Sequence, residues 1–181
     1  MVTISQIGLG GGCHWCTEAV FQSLRGVEKV AQGFVASTGE HANFSEAILV
    51  HFNTELVSLP TLIEIHLRTH KSTSNHSMRA KYRSAIYTFT ETQHDSAVHH
   101  LEGFQKDFDQ GLVTKILPFS EFKPSRDALQ NYYGKNPKKP FCETYINPKL
   151  KLLLHQFSAH AHPEKLNHLR KDDKSTTAHS K

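Results

Sequence analysis

The sequence has no long apolar run. No stretch of its 181 residues approaches the roughly 18 apolar, uncharged residues that a membrane-spanning helix needs. The first residues, Met1 to Gln6, also lack the basic start and the apolar stretch of a secretory signal. We therefore expect a cytoplasmic protein that does not act at a membrane.

A concentrated block of positive charge is missing as well. The formal net charge is +4, but half of this excess falls on residues 155–181 and the other half is spread over the first 154 residues. A protein that binds a phosphate backbone needs clustered Lys and Arg side chains. We therefore expect no nucleic-acid partner.

Cysteine is scarce and odd in number. The three cysteines are Cys13, Cys16 and Cys142. An odd count argues against a fold that is held together by disulfides alone. In a reducing compartment such thiols are catalytic, metal-binding or inert.

The length suits one globular domain with its own core. Hydrophobic residues make up 38% of the chain, and the composition changes only near Leu154. We predict one domain over residues 1–154 and a flexible, polar tail containing His and Lys over residues 155–181. The five His of this tail could bind a metal, but their irregular spacing does not favour it.

Apolar periodicity predicts alternating strands and helices. Ser58 before Pro60, and Thr90 with Gln93, have the pattern of helix starts. The order β-α-β-β-α-β-α-β begins as a split βαβ arrangement. We therefore predict an α/β (α+β) fold, a two-layer ferredoxin-like sandwich with helices packed on a mixed sheet. The predicted strands are residues 3–9, 27–35, 47–52, 84–89 and 113–117, and the predicted helices are residues 14–24, 59–69, 90–108 and 125–133.

The segment that carries the chemistry is the glycine run Gly10-Gly11-Gly12 followed by Cys13. The dinucleotide-binding pattern G-x-G-x-x-G fails here, because Cys13 stands where its third glycine belongs. The glycines allow a tight turn with exposed backbone N–H groups. Cys13 then lies at the start of a helix, where the positive end of the dipole favours a thiolate over a thiol. This is the position of an activated nucleophile.

Cys13 and Cys16 have the Cys-x-x-Cys spacing of dithiol redox sites and of half a zinc site. A zinc ion would need two further ligands, and the only pair near enough in pattern is His66 and His70 on one helix. A small zinc-binding module is therefore the weaker alternative, and we expect no metal and no other cofactor.

Three motifs together resemble the peptide methionine sulfoxide reductase A family. They are the glycine turn with Cys13 and Trp15, the run from Lys81 to Tyr87, and Lys135-Asn136-Pro137 followed by Phe141-Cys142. The resemblance runs from about Ile4 to about Cys142. It implies an enzyme that reduces methionine S-sulfoxide, free or within a peptide, with a thiol.

The resemblance also implies roles for individual residues. Cys13 would be the nucleophile, Glu46 the acid that protonates the sulfoxide oxygen, and Tyr82 a hydroxyl donor to that oxygen. Trp15 and His14 would contact the substrate methyl group. A carboxyl that enters a buried strand is desolvated, and this raises its pKa and keeps it protonated near neutral pH.

After the oxygen is transferred, Cys13 would be a sulfenic acid that condenses with a second thiol. Two cysteines are candidates for this resolving role. Cys16 is nearest in sequence, whereas Cys142 follows the Asn-Pro motif after which other family members keep theirs. Thioredoxin or a similar dithiol would then reduce the disulfide.

The chain departs from the family pattern at three places. His14 replaces an aromatic residue between the nucleophile and Trp15, Ser77 replaces an aspartate, and the shortened loop before Glu46 offers Phe44 in place of a tyrosine. We expect weaker substrate binding or a changed substrate preference. The alternative is a catalytically weak relative that acts as a thiol redox sensor or binding module.

Overall fold

A computed structural model describes residues 1–170. Its centre is one six-stranded sheet with the strand order β5-β4-β1-β3-β2-β6. The strands are β1 (Ile4–Gly10), β2 (Val27–Ala36), β3 (Ser45–Asn53), β4 (Ala85–Thr88), β5 (Lys115–Pro118) and β6 (Glu121–Pro124). The helices are α1 (His14–Gln22), α2 (Leu59–Thr69), α3 (Glu91–Gln105), α4 (Tyr132–Lys135) and α5 (Asn147–Gln156).

The four central strands follow the predicted split βαβ connection. β1 lies between β3 and β4 and is antiparallel to both, and β2 is antiparallel to β3. β5 then adds to β4 in parallel, while β6 adds to β2 antiparallel. The sheet is therefore mixed, as predicted, because α3 carries the chain back to the same edge before β5 starts.

The main core lies between the sheet and the helices. Alternating side chains of β1, β3 and β4 point to this face, as the period of two in a strand requires, and meet the apolar faces of three helices. The buried residues include Ile7 and Leu9 from β1, Ile48 and Val50 from β3, Phe21 from α1, Ile63 from α2 and Leu153 from α5.

The opposite face of the sheet has a second, smaller core. Val35, Ala47, Leu49, Ala85 and Tyr87 are buried there, although no helix within residues 1–170 packs on them. The sheet curls strongly, so that side chains of its own strands and of the loop at Phe119 pack together. The α/β class, the mixed sheet and the packed helices are thus confirmed, whereas the predicted two-layer ferredoxin-like sandwich describes only the helix-covered face of this curled sheet.

Local capping chemistry starts the helices at the predicted residues. The Ser58 hydroxyl accepts a hydrogen bond from Thr61 N at 3.3 Å, and Pro60 lies in the first turn of α2. The Thr90 hydroxyl accepts one from Gln93 N at 3.0 Å at the start of α3. Both satisfy an N–H group that has no partner inside the helix.

The prediction for residues 125–133 was wrong. A single helix does not form there, because Asn131 has a left-handed backbone with φ 51° that separates a short 3-10 turn, Asp127–Leu129, from α4. β6 and α5 were not predicted. α3 also ends at Gln105, earlier than the predicted Phe108.

The first part of the predicted tail belongs to the folded unit. Ala161, Leu166 and Leu169 are buried in the main core, and Ala161 forms an isolated β-bridge with Leu24. The boundary predicted at residue 154 is therefore too early, because these apolar side chains are part of the core and the backbone pairs with Leu24 just after α1. The rest of the predicted tail, residues 171–181, lies outside the described residues. None of the helices in residues 1–170 has the length and apolar character that crossing a bilayer takes.

We predict that Leu166→Ala lowers the free energy of unfolding by about 2–5 kcal/mol, the usual cost of emptying a fully buried leucine site. Denaturant unfolding would measure this change. Asn167→Ala is the matched control, because Asn167 is the exposed neighbour. Equal stability of the two variants would mean that this segment does not contribute to the core.

Candidate active site

Three separate segments meet where β1 ends. Cys13 follows β1, Glu46 is the second residue of β3, and Tyr82 precedes β4. Backbone pairing brings the last two together, because Glu46 N donates to Lys81 O at 3.0 Å. The Ser45 hydroxyl strengthens this link by donating to Lys81 O at 2.9 Å and accepting from Arg83 N at 2.8 Å. The structure thus brings together the nucleophile, acid and hydroxyl donor that the sequence predicts.

Polar side chains hold the glycine turn in place by hydrogen bonds to its backbone carbonyls. His66 Nε2 donates to Gly10 O at 2.8 Å, and Arg79 Nη1 donates to Gly11 O at 2.9 Å. Gly11 must be a glycine, because a Cβ there would lie 2.4 Å from the His70 ring. The sequence indicates His66 and His70 only as possible zinc ligands and indicates no role for Arg79, because nothing in their spacing predicts contacts to backbone carbonyls.

Cys13 stands directly before α1 and is partly exposed. Its pKa is lowered, first by a hydrogen bond from the Cys16 thiol and then by the backbone N–H groups of Trp15 and Cys16. Burial and the nearby Glu46 carboxyl act in the opposite direction. The favourable contacts come from the first helical turn, where unpaired N–H groups converge. These contacts therefore favour the thiolate form of Cys13.

The other two thiols are buried and stay protonated. The pKa of Cys16 is raised, mainly by its hydrogen bond to Cys13 and by burial. The pKa of Cys142 is raised by burial, and its Sγ donates to Asn136 O at 3.6 Å. All three cysteines are free thiols. Of the two candidate resolving thiols, only Cys16 is in contact with Cys13.

His14 and Glu46 form a buried pair. His14 Nε2 lies 3.1 Å from Glu46 Oε1, and His14 Nδ1 donates to Gly33 O at 2.8 Å. Burial is the main cause that raises the pKa of Glu46 and lowers the pKa of His14. Both changes favour neutral groups, so Glu46 is held as a carboxylic acid.

Tyr82 and Lys81 lie on the open side of this carboxyl. The Lys81 charge and then the Tyr82 hydroxyl lower the pKa of Glu46, which partly offsets the effect of burial. Lys81 Nζ also lies 5.0 Å from the centre of the Tyr82 ring. Glu46 Oε2 is buried, and no described residue meets it in hydrogen-bond geometry. This oxygen is therefore left without a hydrogen-bond partner among residues 1–170.

An aromatic cluster stands beside Cys13. Trp15 stacks on Tyr132 with a centroid distance of 4.1 Å, and the Phe141 ring meets Trp15 edge-on at 5.3 Å. The buried carboxyl of Glu18 fixes this arrangement by accepting from Asn131 N at 3.0 Å and from Tyr132 N at 3.1 Å. The sequence does not indicate the roles of Tyr132 and Glu18 in this cluster, because the two residues that meet lie more than a hundred positions apart along the chain.

The polar atoms of His14 face Gly33 and Glu46, and its ring centre is 6.5 Å from that of Trp15. Its predicted contact with the substrate methyl group stays a prediction. Ser77 and Phe44 are both exposed. Within residues 1–170, no three His, Cys, Asp or Glu side chains are grouped to hold a metal ion. The zinc alternative therefore has no ligand set in this part of the chain.

Comparison with known proteins gives a consistent result. The family model of peptide methionine sulfoxide reductase matches residues 5–162, which extends beyond the predicted resemblance. Peptide methionine sulfoxide reductase MsrA of Acinetobacter baumannii (strain SDF) is 36% identical over 168 residues, which cover 85% of this chain and 96% of that protein.

Two solved structures of Saccharomyces cerevisiae Mxr1 share the fold. The reduced form has a TM-score of 0.69 at 20% identity and covers 80% of this chain and 95% of that one. The complex with Trx2 has a TM-score of 0.58 at 20% identity and covers 71% and 84%. Their low identity supports the fold alone, whereas the family model and the Acinetobacter relative cover most of the sequence. This chain belongs to the peptide methionine sulfoxide reductase family.

Proposed function

We propose that this family member reduces methionine S-sulfoxide with Cys13 as nucleophile and Glu46 as acid. The observation that carries the proposal is the contrast between two neighbouring groups. The pKa of the Cys13 thiol is lowered while the pKa of the Glu46 carboxyl is raised. A thiolate and a carboxylic acid can therefore coexist near neutral pH, which is the pair that sulfoxide reduction requires.

The first step transfers oxygen from substrate to enzyme. The Cys13 thiolate attacks the sulfoxide group of the substrate. A bond forms between Cys13 Sγ and the oxygen, and the sulfur–oxygen bond of the substrate breaks. Cys13 is oxidised by two electrons to a sulfenic acid, and the substrate sulfur is reduced to a thioether. The oxygen takes a proton from Glu46, and the Tyr82 hydroxyl hydrogen-bonds to it. Trp15, backed by Tyr132 and Phe141, provides the apolar surface for the methyl group.

The second step forms a disulfide and releases water. The sulfur of a second thiol attacks the Cys13 sulfenic acid, and the oxygen leaves with the proton of that thiol. Cys16 is the first choice, because its thiol already hydrogen-bonds to Cys13. Cys142 is the second candidate. It is completely buried and hydrogen-bonded to the Asn136 carbonyl, so it must move before it can react.

A dithiol reductant must then reopen the disulfide by exchange. The yeast relative has been crystallised with Trx2, and this supports thioredoxin as the partner of this chain. Oxidised proteins and free methionine sulfoxide are the proposed substrates. A cytoplasmic location, where such reductants are kept reduced, remains part of the proposal.

We predict that the purified protein with excess dithiothreitol consumes only the S epimer of methionine sulfoxide and that Cys13→Ser abolishes this. The serine hydroxyl is not ionised at neutral pH and cannot replace the thiolate. Chromatography that separates the epimers measures the loss. Consumption by a folded Cys13→Ser protein would remove Cys13 from its role, and no turnover by a native protein with a titratable Cys13 would favour the redox-sensor alternative.

We predict that Glu46→Gln slows the reductive step about 10²–10⁴-fold, the usual contribution of a general acid. The number of reactive thiols should not change, because the nucleophile is intact. The native single-turnover rate should also fall as the pH rises through the raised pKa of Glu46, because the acid form is lost, and this fall should be absent from Glu46→Gln. An unchanged rate at neutral pH would show that Glu46 is not the acid.

We predict a Cys13–Cys16 disulfide after one turnover without reductant. Peptide mass spectrometry would identify it, and Cys16→Ser should instead accumulate a sulfenic acid that a dimedone-type reagent traps. Cys142→Ser, which also removes one buried thiol, is the matched control and should still form the disulfide. A Cys13–Cys142 disulfide in the native protein would reverse the assignment.

A further inference from the structure

His14 occupies an unusual place for a histidine at the start of a helix. Its side chain is only 4% exposed and reaches from α1 across to β2 and β3. Both ring nitrogens have defined neighbours there, which are a backbone carbonyl on one side and the carboxyl of the proposed acid on the other. A buried imidazole with both nitrogens engaged has a fixed orientation and a fixed tautomer.

The Gly33 carbonyl determines where the protons of His14 lie. A carbonyl oxygen can only accept a hydrogen bond, so His14 Nδ1 carries a proton in every ionisation state. His14 Nε2 is then either bare or protonated. At 3.1 Å from Glu46 Oε1, a bare nitrogen opposite a carboxylate would be repelled. One proton must therefore lie between the two atoms, bound to one or shared by both.

We propose that His14 is the positioning residue of the acid Glu46. It holds Oε1, turns Oε2 towards the substrate oxygen, and balances the carboxylate that remains after each proton transfer. This inference rests on the proposed function and concerns the chemistry of the same site. It explains how the chain works with a histidine where the family resemblance leads to an apolar aromatic ring.

The proton count of this step balances. The neutral pair holds one proton, between His14 Nε2 and Glu46 Oε1. When the Cys13 thiol ionises, its proton becomes the second one, so that Glu46 is protonated on Oε2 while His14 Nε2–H donates to Oε1, and the Cys13 thiolate balances the positive charge of the pair. The sulfoxide oxygen takes the Oε2 proton and becomes the hydroxyl of the Cys13 sulfenic acid. Glu46 is left as a carboxylate beside an imidazolium, so the new charge is neutralised where it forms.

Few other charged groups surround the pair. The loop before β4 contributes Lys81, which lowers the pKa of both partners, and the Tyr82 hydroxyl. α1 contributes Cys13. β2 contributes only the Gly33 carbonyl and the Phe34 ring, whose centre is 5.3 Å from that of His14. On β6, Lys123 pairs with Phe34 and is exposed. Because Lys81 is also exposed, solvent weakens its effect, whereas the buried His14 Nε2 lies 3.1 Å from Glu46 Oε1.

Two substitutions separate positioning from proton sharing. His14→Phe supplies an apolar ring and removes both contacts. We expect it to slow the single-turnover reductive rate about 10- to 100-fold, as for the loss of a hydrogen bond to a charged group, with the thiol titre unchanged. His14→Gln can still donate an amide N–H to Oε1 but cannot take up a proton. A neutral amide favours the carboxylate less than an imidazolium does, so the decline of the rate with rising pH should begin at higher pH than in the native protein.

His51→Gln is the matched control, because His51 lies on β3 with Glu46 but outside the site. It should leave both the rate and its pH profile unchanged. If His14 only filled space, His14→Gln would have the native pH profile and His14→Phe the native rate, and either result would overturn the proposal.

A measurement without turnover keeps this inference distinct from the proposed function. The ¹⁵N chemical shifts of the His14 ring should show Nδ1 protonated throughout and Nε2 titrating together with the Glu46 carboxyl. A native protein that shows these shifts but reduces no sulfoxide would refute the function and leave the pairing intact. An active protein in which Nε2 titrates independently of Glu46 would refute the pairing and leave the function intact.

Discussion

The close approach of three strand ends is the constraint on which the site depends. β1 ends at Gly10, where an added Cβ would lie 2.9 Å from Glu46 O on β3 and 3.0 Å from Arg83 O just before β4. Any larger residue would force these strands apart. Because the chain leaves β1 at this point and enters α1, the helix start with Cys13 is brought next to Glu46 and Tyr82. The geometry of the chemistry thus follows from the absence of a side chain at one position.

Buried carboxyls then fix what the strands bring together. The Glu18 carboxyl oxygens accept hydrogen bonds from the backbone N–H groups at the start of α4, and these bonds position Tyr132 against Trp15. Glu46 Oε1 lies against His14, whereas Glu46 Oε2 is buried without a hydrogen-bond partner among residues 1–170. Burial raises the pKa of both groups. The two carboxyls therefore differ in their hydrogen bonds and not in the effect of burial, which suits Glu18 to a structural role and Glu46 to its proposed role as the acid.

Local patterns predicted much of the fold, and long-range contacts account for what they missed. The bounds of α2 and the caps at Ser58 and Thr90 follow from chemistry within a few residues, so the sequence alone identifies them. The short β6 contains Pro124, and its pairing with β2 is decided only by the folded sheet. The buried side chains of residues 157–170 are too widely spaced to give a helical or strand pattern, although the core needs them.

The residues of the site also fall into those that local sequence patterns predict and those that they do not. The glycine turn and the Cys-x-x-Cys spacing indicated Cys13 and Cys16 directly, while Glu46 and Tyr82 required the family resemblance. The contact of His14 with Glu46 links α1 to β3 across 32 positions of sequence. No local pattern could indicate it, because helical spacing decides only which face a residue lies on and not what meets that face. The contact of Tyr132 with Trp15 could not be predicted from the sequence for the same reason.

The hydrogen bond between Cys13 and Cys16 gives the two thiols opposite properties and thereby an order of reaction. It lowers the pKa of Cys13 and raises that of Cys16, so only one thiol is ionised when substrate arrives. The negative charge on Cys13 is itself one cause of the raised pKa of Cys16. Once Cys13 is a neutral sulfenic acid, that charge is gone, and the Lys149 ammonium, which lowers the pKa of Cys16, acts without opposition from it. In the proposed mechanism, therefore, the first step removes one of the interactions that raise the pKa of Cys16, although burial still acts.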